Sequence, residues 1–255
     1  CIRDRRYWLH NERTVWRVVV VPEEAQEDER RTHRERARLI RERTSHICRI
    51  RSLLVQHGIR PLKILGCDNS QMKDWQGKAL PSGIQKEICH EQERLRLVNE
   101  QIKQLDAEQK EQLKMPITEA DRKAAKMKTL KGIGQHDSCL LSKELFGWRK
   151  FNNRREVGAI SGLTGTAYNS GDTVVEQGIS KAGNRRVRST MIELAWRWTF
   201  YQPDSELTKW FMQRFGSGGK RMRRVGIVAL ARKLLIALWK FVEFGEVPAG
   251  AVVRA

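Results

Sequence analysis

The sequence has no Cys-x-x-Cys pair, no Gly-x-x-x-x-Gly-Lys-Ser/Thr loop and no uninterrupted apolar run of bilayer length, and two long stretches carry no acid at all. The five cysteines, Cys1, Cys48, Cys67, Cys89 and Cys139, are scattered and odd in number. That excludes a disulfide framework and a paired-cysteine zinc site, and points to a reducing compartment, the cytosol. Cys89 and His90 are adjacent, but neighbours on a helix point apart, so they read as surface residues and no metal ligands are assigned. The most apolar stretch, from Val225 to Phe244, is interrupted by Arg232, Lys233, Lys240 and Glu243, which excludes a membrane span. The first residue is Cys1 rather than Met, and Arg3, Asp4, Arg5 and Arg6 leave no apolar core for a signal peptide. The chain is therefore expected to begin inside a longer protein.

What is abundant is positive charge. Against 30 Asp and Glu stand 49 Lys and Arg, a formal charge of +19. Such an excess calls for a polyanion, and nucleic acid fits better than a membrane surface because neutralised phosphates release counterions and supply non-specific affinity.

The fold class read from the pattern is mainly α, a long antiparallel helical coiled coil followed by a compact helical domain. Trp16 to Val21, closed by Pro22, reads as a short strand, and residues 1–22 as the remnant of a preceding domain. Residues 23–116 form the coiled-coil region. Its first helix carries Leu39, Ile40, Ile47, Ile50, Leu53 and Leu54 at helical spacing and ends at Gly58. A linker spans 60–83. The second helix repeats Ile84, Ile88, Leu95, Val98, Ile102 and Leu105 and stops at Met115-Pro116. The stripes suit pairing within one chain or between two, so a homo-oligomer is expected as a partner arrangement. Residues 117–255 read as a helical domain with Trp148, Trp196, Trp198, Trp210 and Trp239 available for its core.

Four motifs in that domain could carry chemistry. Leu130-Lys131-Gly132-Ile133-Gly134 is a tight turn between helices whose amides could hold a phosphate, with Lys131, Gly132 and Gly134 as candidates; a plain interhelical turn uses the same residues. Gly178 to Arg188 runs from a turn into a helix bearing Lys181, Arg185, Arg186 and Arg188, with no carboxylate from Gln177 to Ile192; phosphate contact is favoured over a solvated basic face. Gly216 to Gly219 leads into Lys220, Arg221, Arg223 and Arg224, again acid-free between Glu206 and Glu243. Arg221 stands where a nucleotide-binding loop needs its hydroxyl, so a grip on nucleic-acid backbone is expected there rather than ATP. Finally, Tyr168-Asn169-Ser170-Gly171 is a turn sequence. Ser170 alone is an ordinary turn serine, but beside the cations of 181–188 its hydroxyl could attack a phosphodiester.

In order, the Leu-x-Gly-Ile-Gly turn, Gly162-Leu163-Thr164, Tyr168 to Gly171, Ile179-Ser180-Lys181-Ala182-Gly183-Asn184 and Ala231-Arg232-Lys233-Leu234-Leu235 resemble the C-terminal domain of one transposase family. It is the insertion-sequence family numbered one hundred and ten, the bridge-RNA-guided serine transposases. Arg30-Arg31-x-His33-Arg34-Glu35-Arg36, Glu42-Arg43-Thr44-x-His46 and Arg49-Ile50-x-x-Leu53-Leu54 are similar to that family's coiled-coil region, so the resemblance spans nearly the whole chain.

The resemblance implies a bacterial, cytoplasmic DNA recombinase whose serine, here Ser170 with Asn169 beside it, is joined covalently to DNA. It also implies DNA and a noncoding guide RNA as partners. In that family an RNase-H-like N-terminal domain holds magnesium with an acidic quartet, and residues 1–15 lack the last part of that quartet. No cofactor is therefore assigned to this chain, and magnesium is expected only with the missing domain. The isolated chain is expected to bind nucleic acid without recombining it. The alternative is a catalytically inactive nucleic-acid-binding remnant or regulator.

Overall fold

Two long helices lie against each other because each carries one apolar stripe that must be covered. The computed structural model describes residues 9–10, 21–60, 64–65, 72–170 and 173–254, with backbone alone at 167–170 and 173–177. The strand expected at 16–21 lies almost wholly outside these residues. A short helix α1 (Glu24–Asp28) precedes α2 (Arg31–Gln56), which ends at Gly58 with a positive φ of 74°. A side chain at Gly58 would also press on Trp75, its Cβ 3.1 Å from the Trp75 Cβ. The partner, α3 (Ser82–Lys114), stops at Met115 because Pro116 disfavours helical backbone before it.

The direction of pairing follows from who meets whom. Arg36 pairs with Asp106, whereas His46 and Arg49 pair with Glu91. Numbers rise along α2 as they fall along α3, so the helices are antiparallel and pair within the chain. Leu39 packs with Val98 and Ile102, while Ile50 and Leu54 pack with Ile88 and Leu95. Glu91 is buried in this seam and takes hydrogen bonds from His46 (2.6 Å), Arg49 (2.8 Å) and Arg94. Burial alone would raise the Glu91 carboxyl. The bonds from His46, Arg49 and Arg94 outweigh it and hold the carboxyl down at about 2.

Beyond α3 the chain is helical with one hairpin. The elements are α4 (Glu119–Lys128), α5 (Gln135–Leu141), α6 (Arg154–Ile160), β1 (Gly165–Ser170), β2 (Thr173–Ile179), α7 (Arg185–Tyr201), α8 (Glu206–Phe215) and α9 (Lys220–Phe244). The organising helix is α9. It buries Ile227, Leu230, Ala231, Leu234, Leu235, Leu238, Phe241 and Val242, a stripe wide enough to pack on α4, α6, α7 and α8 at once. Among the five tryptophans only Trp198 and Trp239 are buried. Trp198 satisfies its indole N–H on Ser205 Oγ at 2.9 Å, and Trp196 is 41% exposed. The sequence reading placed a turn but no strands between α6 and α7; the structure has an antiparallel pair there, from Gly165↔Ile179 to Ser170↔Thr173.

α5 ends in a π-helical turn, Ser142–Phe146, whose residues are all buried. The extra residue in that turn turns neighbouring polar side chains toward different helices. Lys143 reaches Gln112 of α3 at 3.0 Å and approaches Asp121 of α4 at 3.6 Å. Glu144 reaches α2, accepting from His33 Nε2 at 2.9 Å and Arg34 Nε at 3.0 Å, and a third bond comes from Asn184 Nδ2 at 2.9 Å. Burial opposes the Glu144 charge, but the bonds from His33 and Arg34 dominate and hold its carboxyl well below the usual carboxylate range. Burial in turn lowers His33, against the opposing pull of Glu144. Arg30, also buried, donates from Nε to the Lys143 carbonyl at 3.2 Å, and the Trp148 ring faces both Arg30 and Arg149, at 4.3 and 4.4 Å.

Two outcomes follow. Glu91 is ionised in the folded chain down to about pH 2, against 4.5 ordinarily, so its contribution is complete above pH 4.5 and is lost as pH falls toward 2. Glu91→Gln should cost about 2 kcal/mol at neutral pH and show a shallower acid-induced loss of stability, followed by helical circular dichroism. Glu144→Gln should cost about 3 kcal/mol, read as a lower urea midpoint at unchanged slope. An unchanged midpoint would mean that the buried carboxylate does not hold α2 to the π turn.

Candidate nucleic-acid interface

The hairpin β1–β2 springs from a neck where two backbone segments touch without side chains between them. Gly162 has φ +63° and Gly183 φ +86°. A Cβ on Gly162 would stand 1.9 Å from the Ala182 carbonyl oxygen, and one on Gly183 would stand 2.1 Å from that of Ile160. Only glycine fits either position. The contact is stitched by Ser180 N–H donating to the Thr164 carbonyl (2.9 Å), Lys181 N–H to that of Gly162 (3.2 Å) and Asn184 N–H to that of Ile160 (2.9 Å). Two of the sequence motifs, Gly162 to Thr164 and Ile179 to Asn184, are thus the two halves of one joint.

Lys181 takes φ +55°, a left-handed conformation that costs a non-glycine residue free energy. Arg188 holds it there, donating from NH1 to the carbonyls of Lys181 (2.9 Å) and Ser161 (3.2 Å). Asn184 caps α7, its Oδ1 accepting from the amides of Arg186 and Val187, while its Nδ2 donates to Glu144. The neck is therefore wired through one side chain to the buried carboxylate and so to α2.

The predicted residues distribute as follows. Ser170 is the last residue of β1, paired with Thr173, and Gly171 after it lies outside the described residues. Lys181, Arg185 and Arg186 are exposed at the other end of the hairpin. Five residue steps along β1 separate Ser170 from Gly165, roughly 17 Å of backbone, so the structure does not bring the serine and these cations side by side. Arg188 is engaged with carbonyls rather than turned outward.

Lys220, Arg221, Arg223 and Arg224 occupy the first turns of α9, exposed and with no side-chain partner among the described residues. Four cations at the positive end of a helix are unfavourable unless an anion joins them. In the Leu130 to Gly134 turn, Gly132 has φ +94° and Gly134 caps α5. There the Lys131 amide donates to the Val252 carbonyl, that of Ile133 to the Leu130 carbonyl and that of Gly134 to Asp137. Gln202 ties the Lys131 carbonyl and Val252 together.

Sequence reasoning missed Glu144 and the capping role of Asn184. The signal for Asn184 was present, since Asn preceding a basic helical run is a cap pattern; Glu144 sits in a stretch that reads as an ordinary helix end. Among the described residues no three His, Cys, Asp or Glu side chains gather as a metal site requires. Cys139 is buried and its thiol is pushed up to about 11 by that burial, which leaves it unreactive. No described helix is long and apolar enough to cross a membrane.

Residues 124–208, from α4 through the neck, the hairpin and α7 into α8, match the profile described as the Transposase IS116/IS110/IS902 family. The chain is 38% identical over 265 aligned positions to a putative transposase, y4rJ, of Sinorhizobium fredii, covering 99% of this chain and 67% of that protein. It is 24% identical over 217 positions to the transposase for insertion sequence element IS1328 of Yersinia enterocolitica, covering 84% of this chain and 63% of that one. It spans about two thirds of the length of these curated relatives. With the glycine neck and its hairpin inside the matched span, the chain belongs to the IS116/IS110/IS902 family of transposases.

Proposed function

We propose that this chain is the DNA-joining part of an insertion-sequence transposase, and that Ser170 is its nucleophile. The observation that carries the reading is the neck at Gly162 and Gly183, which fixes the root of a hairpin ending at Ser170, with Lys181, Arg185 and Arg186 exposed beside that root and without an ion-pair partner among the described residues. In the reaction the Ser170 Oγ attacks the phosphorus of a DNA phosphodiester. A new Oγ–P bond forms, the P–O bond to one deoxyribose oxygen breaks, and the serine proton ends on the departing oxygen. Transfer to a second DNA end reverses the step.

On this reading Lys181, Arg185, Arg186 and the α9 cations hold backbone phosphates on either side of the break. With roughly 3.4 Å of rise per nucleotide, the 17 Å from hairpin end to neck corresponds to about five nucleotide steps of one strand. The acids that hold magnesium belong to a preceding domain. A guide RNA supplies sequence choice by pairing, and copies of the chain associate to bring two DNA ends together.

The test uses the full-length coding sequence with magnesium and DNA carrying the element's end. A protein–DNA adduct that survives a denaturing gel is expected, and Ser170→Ala should lower it about 1000-fold or more with DNA affinity unchanged. An adduct undiminished by Ser170→Ala would overturn the assignment. No adduct from the unaltered protein, with binding intact, would favour a non-catalytic nucleic-acid binder instead.

A further inference from the structure

Away from the hairpin end, α6 and α9 border a cleft of about 610 Å³ whose charged lining is Arg154, Arg155, Arg232, Lys233 and Lys240. Among the described residues no carboxylate lines it. The three arginines are exposed, and no guanidinium among them has a hydrogen-bond or ion-pair partner among the described residues. Lys233 lies over the Trp210 ring at 4.5 Å, which fixes its stem, and Lys240 pairs with Glu246 at 2.8 Å. Glu156, the acid nearest in sequence, is turned back to the cap of α6, accepting from Asn152 N–H and Asn153 Nδ2.

The arrangement is built rather than incidental. Gly158 is buried, and the stem of Arg232 crosses it, with the Arg232 Cγ and Cδ 3.7 Å from where a Cβ would stand. The stem of Arg232 is thereby packed on α6, the helix that also carries Arg154 and Arg155. Five cations gathered around one concavity repel each other, and the repulsion is relieved only by an anion that meets several of them. One phosphate needs two or three donors; this cleft is lined by five cations from two helices. Arginine predominates, the side chain whose planar fork matches phosphate oxygens and which sheds water most readily. The cleft also touches the neck, since Thr164 lines it and its carbonyl accepts from Ser180 at the root of the hairpin.

We propose that this cleft holds the phosphodiester backbone of a nucleic-acid strand as it leaves the hairpin, a grip separate from the cations of α7 and of the start of α9. The proposal rests on the chain handling nucleic acid, as proposed above, but not on Ser170 being the nucleophile. DNA and RNA share the chemistry the cleft recognises.

The experiment measures binding of the full-length protein to a DNA duplex, and separately to a structured RNA, by fluorescence anisotropy over a range of salt. For Arg155→Glu with Arg232→Glu, the slope of log affinity against log salt should fall by about 2, near 0.9 for each lost phosphate contact, with affinity at low salt at least about tenfold weaker. A change with duplex alone assigns the cleft to DNA, with RNA alone to RNA, and with both to either backbone. Arg155→Gln with Arg232→Gln, less prone to misfold, should shift the slope in the same direction, while Arg214→Glu, an exposed cation outside the cleft, should not. An unchanged slope for both nucleic acids in a variant with native circular dichroism would overturn the proposal. So would binding of free ATP that the variant loses while keeping its nucleic-acid affinity. Because Ser170→Ala adduct loss is read separately, failure here leaves the nucleophile assignment standing.

Discussion

A single buried carboxylate, Glu144, joins its own turn to two other parts of the chain, α2 and the cap of α7, and much of the architecture is arranged around keeping it charged. A lone carboxylate in a protein interior would take up a proton, because burial penalises the ion by several kcal/mol. Here the His33 imidazole, the Arg34 guanidinium and the Asn184 amide all donate to it. Each donor comes from an element that must be in place for the bond to form. The long helical pair is thereby referenced to the π turn, and the π turn to the cap of α7. Lys143, next in the chain, performs the opposite operation toward α3 and α4. One extra residue in a helix thus sends an anion one way and a cation the other.

That wiring bears on how a recombinase of this family handles two tasks with one chain. The helical pair extends away from the C-terminal elements, yet its first turn touches the same carboxylate that orients the neck of the hairpin. A displacement of α2 is felt at Asn184 through one intervening side chain. The cations, by contrast, are wired to little: those at the start of α9 and in the α6–α9 cleft are mostly exposed and without an ion-pair partner among the described residues. The molecule is rigid where its parts are joined and electrostatically unsatisfied where it faces a partner. That combination suits binding of a polyanion, because a preformed frame loses little conformational entropy on association.

Much of the helical frame could be read from the chain. Leu39, Ile50, Leu54, Ile88, Leu95, Val98 and Ile102 recur at helical spacing and are the residues buried between α2 and α3, and the stops at Gly58 and Pro116 are local chemistry visible in any sequence. What stayed hidden depends on contacts between distant segments. The hairpin at 165–179 has too few alternating residues to announce two strands, and it exists because the neck closes its ends. Glu144 looks like one more surface acid until His33, more than a hundred residues away, is brought to it. Tryptophan was the misleading signal: Trp148 offers its ring to two guanidiniums and Trp196 is half exposed, so size alone did not identify the core. Lys181, Arg185, Arg186 and Arg188 were read from sequence as cations beside Ser170, whereas the fold sets the serine and these cations at opposite ends of a hairpin.

The glycine neck has a consequence for how such a chain can change over time. Residues 160–164 and 180–184 close on each other through backbone hydrogen bonds, so the segment between them is a closed excursion whose last residue, Ile179, packs against the core. The free-energy cost of lengthening a closed loop grows only with the logarithm of its length. Changes of length between Gly165 and Gly178 should thus cost little stability so long as Gly162, Gly183 and the packed Ile179 persist, and the hairpin can diversify at a pace the surrounding helices cannot follow.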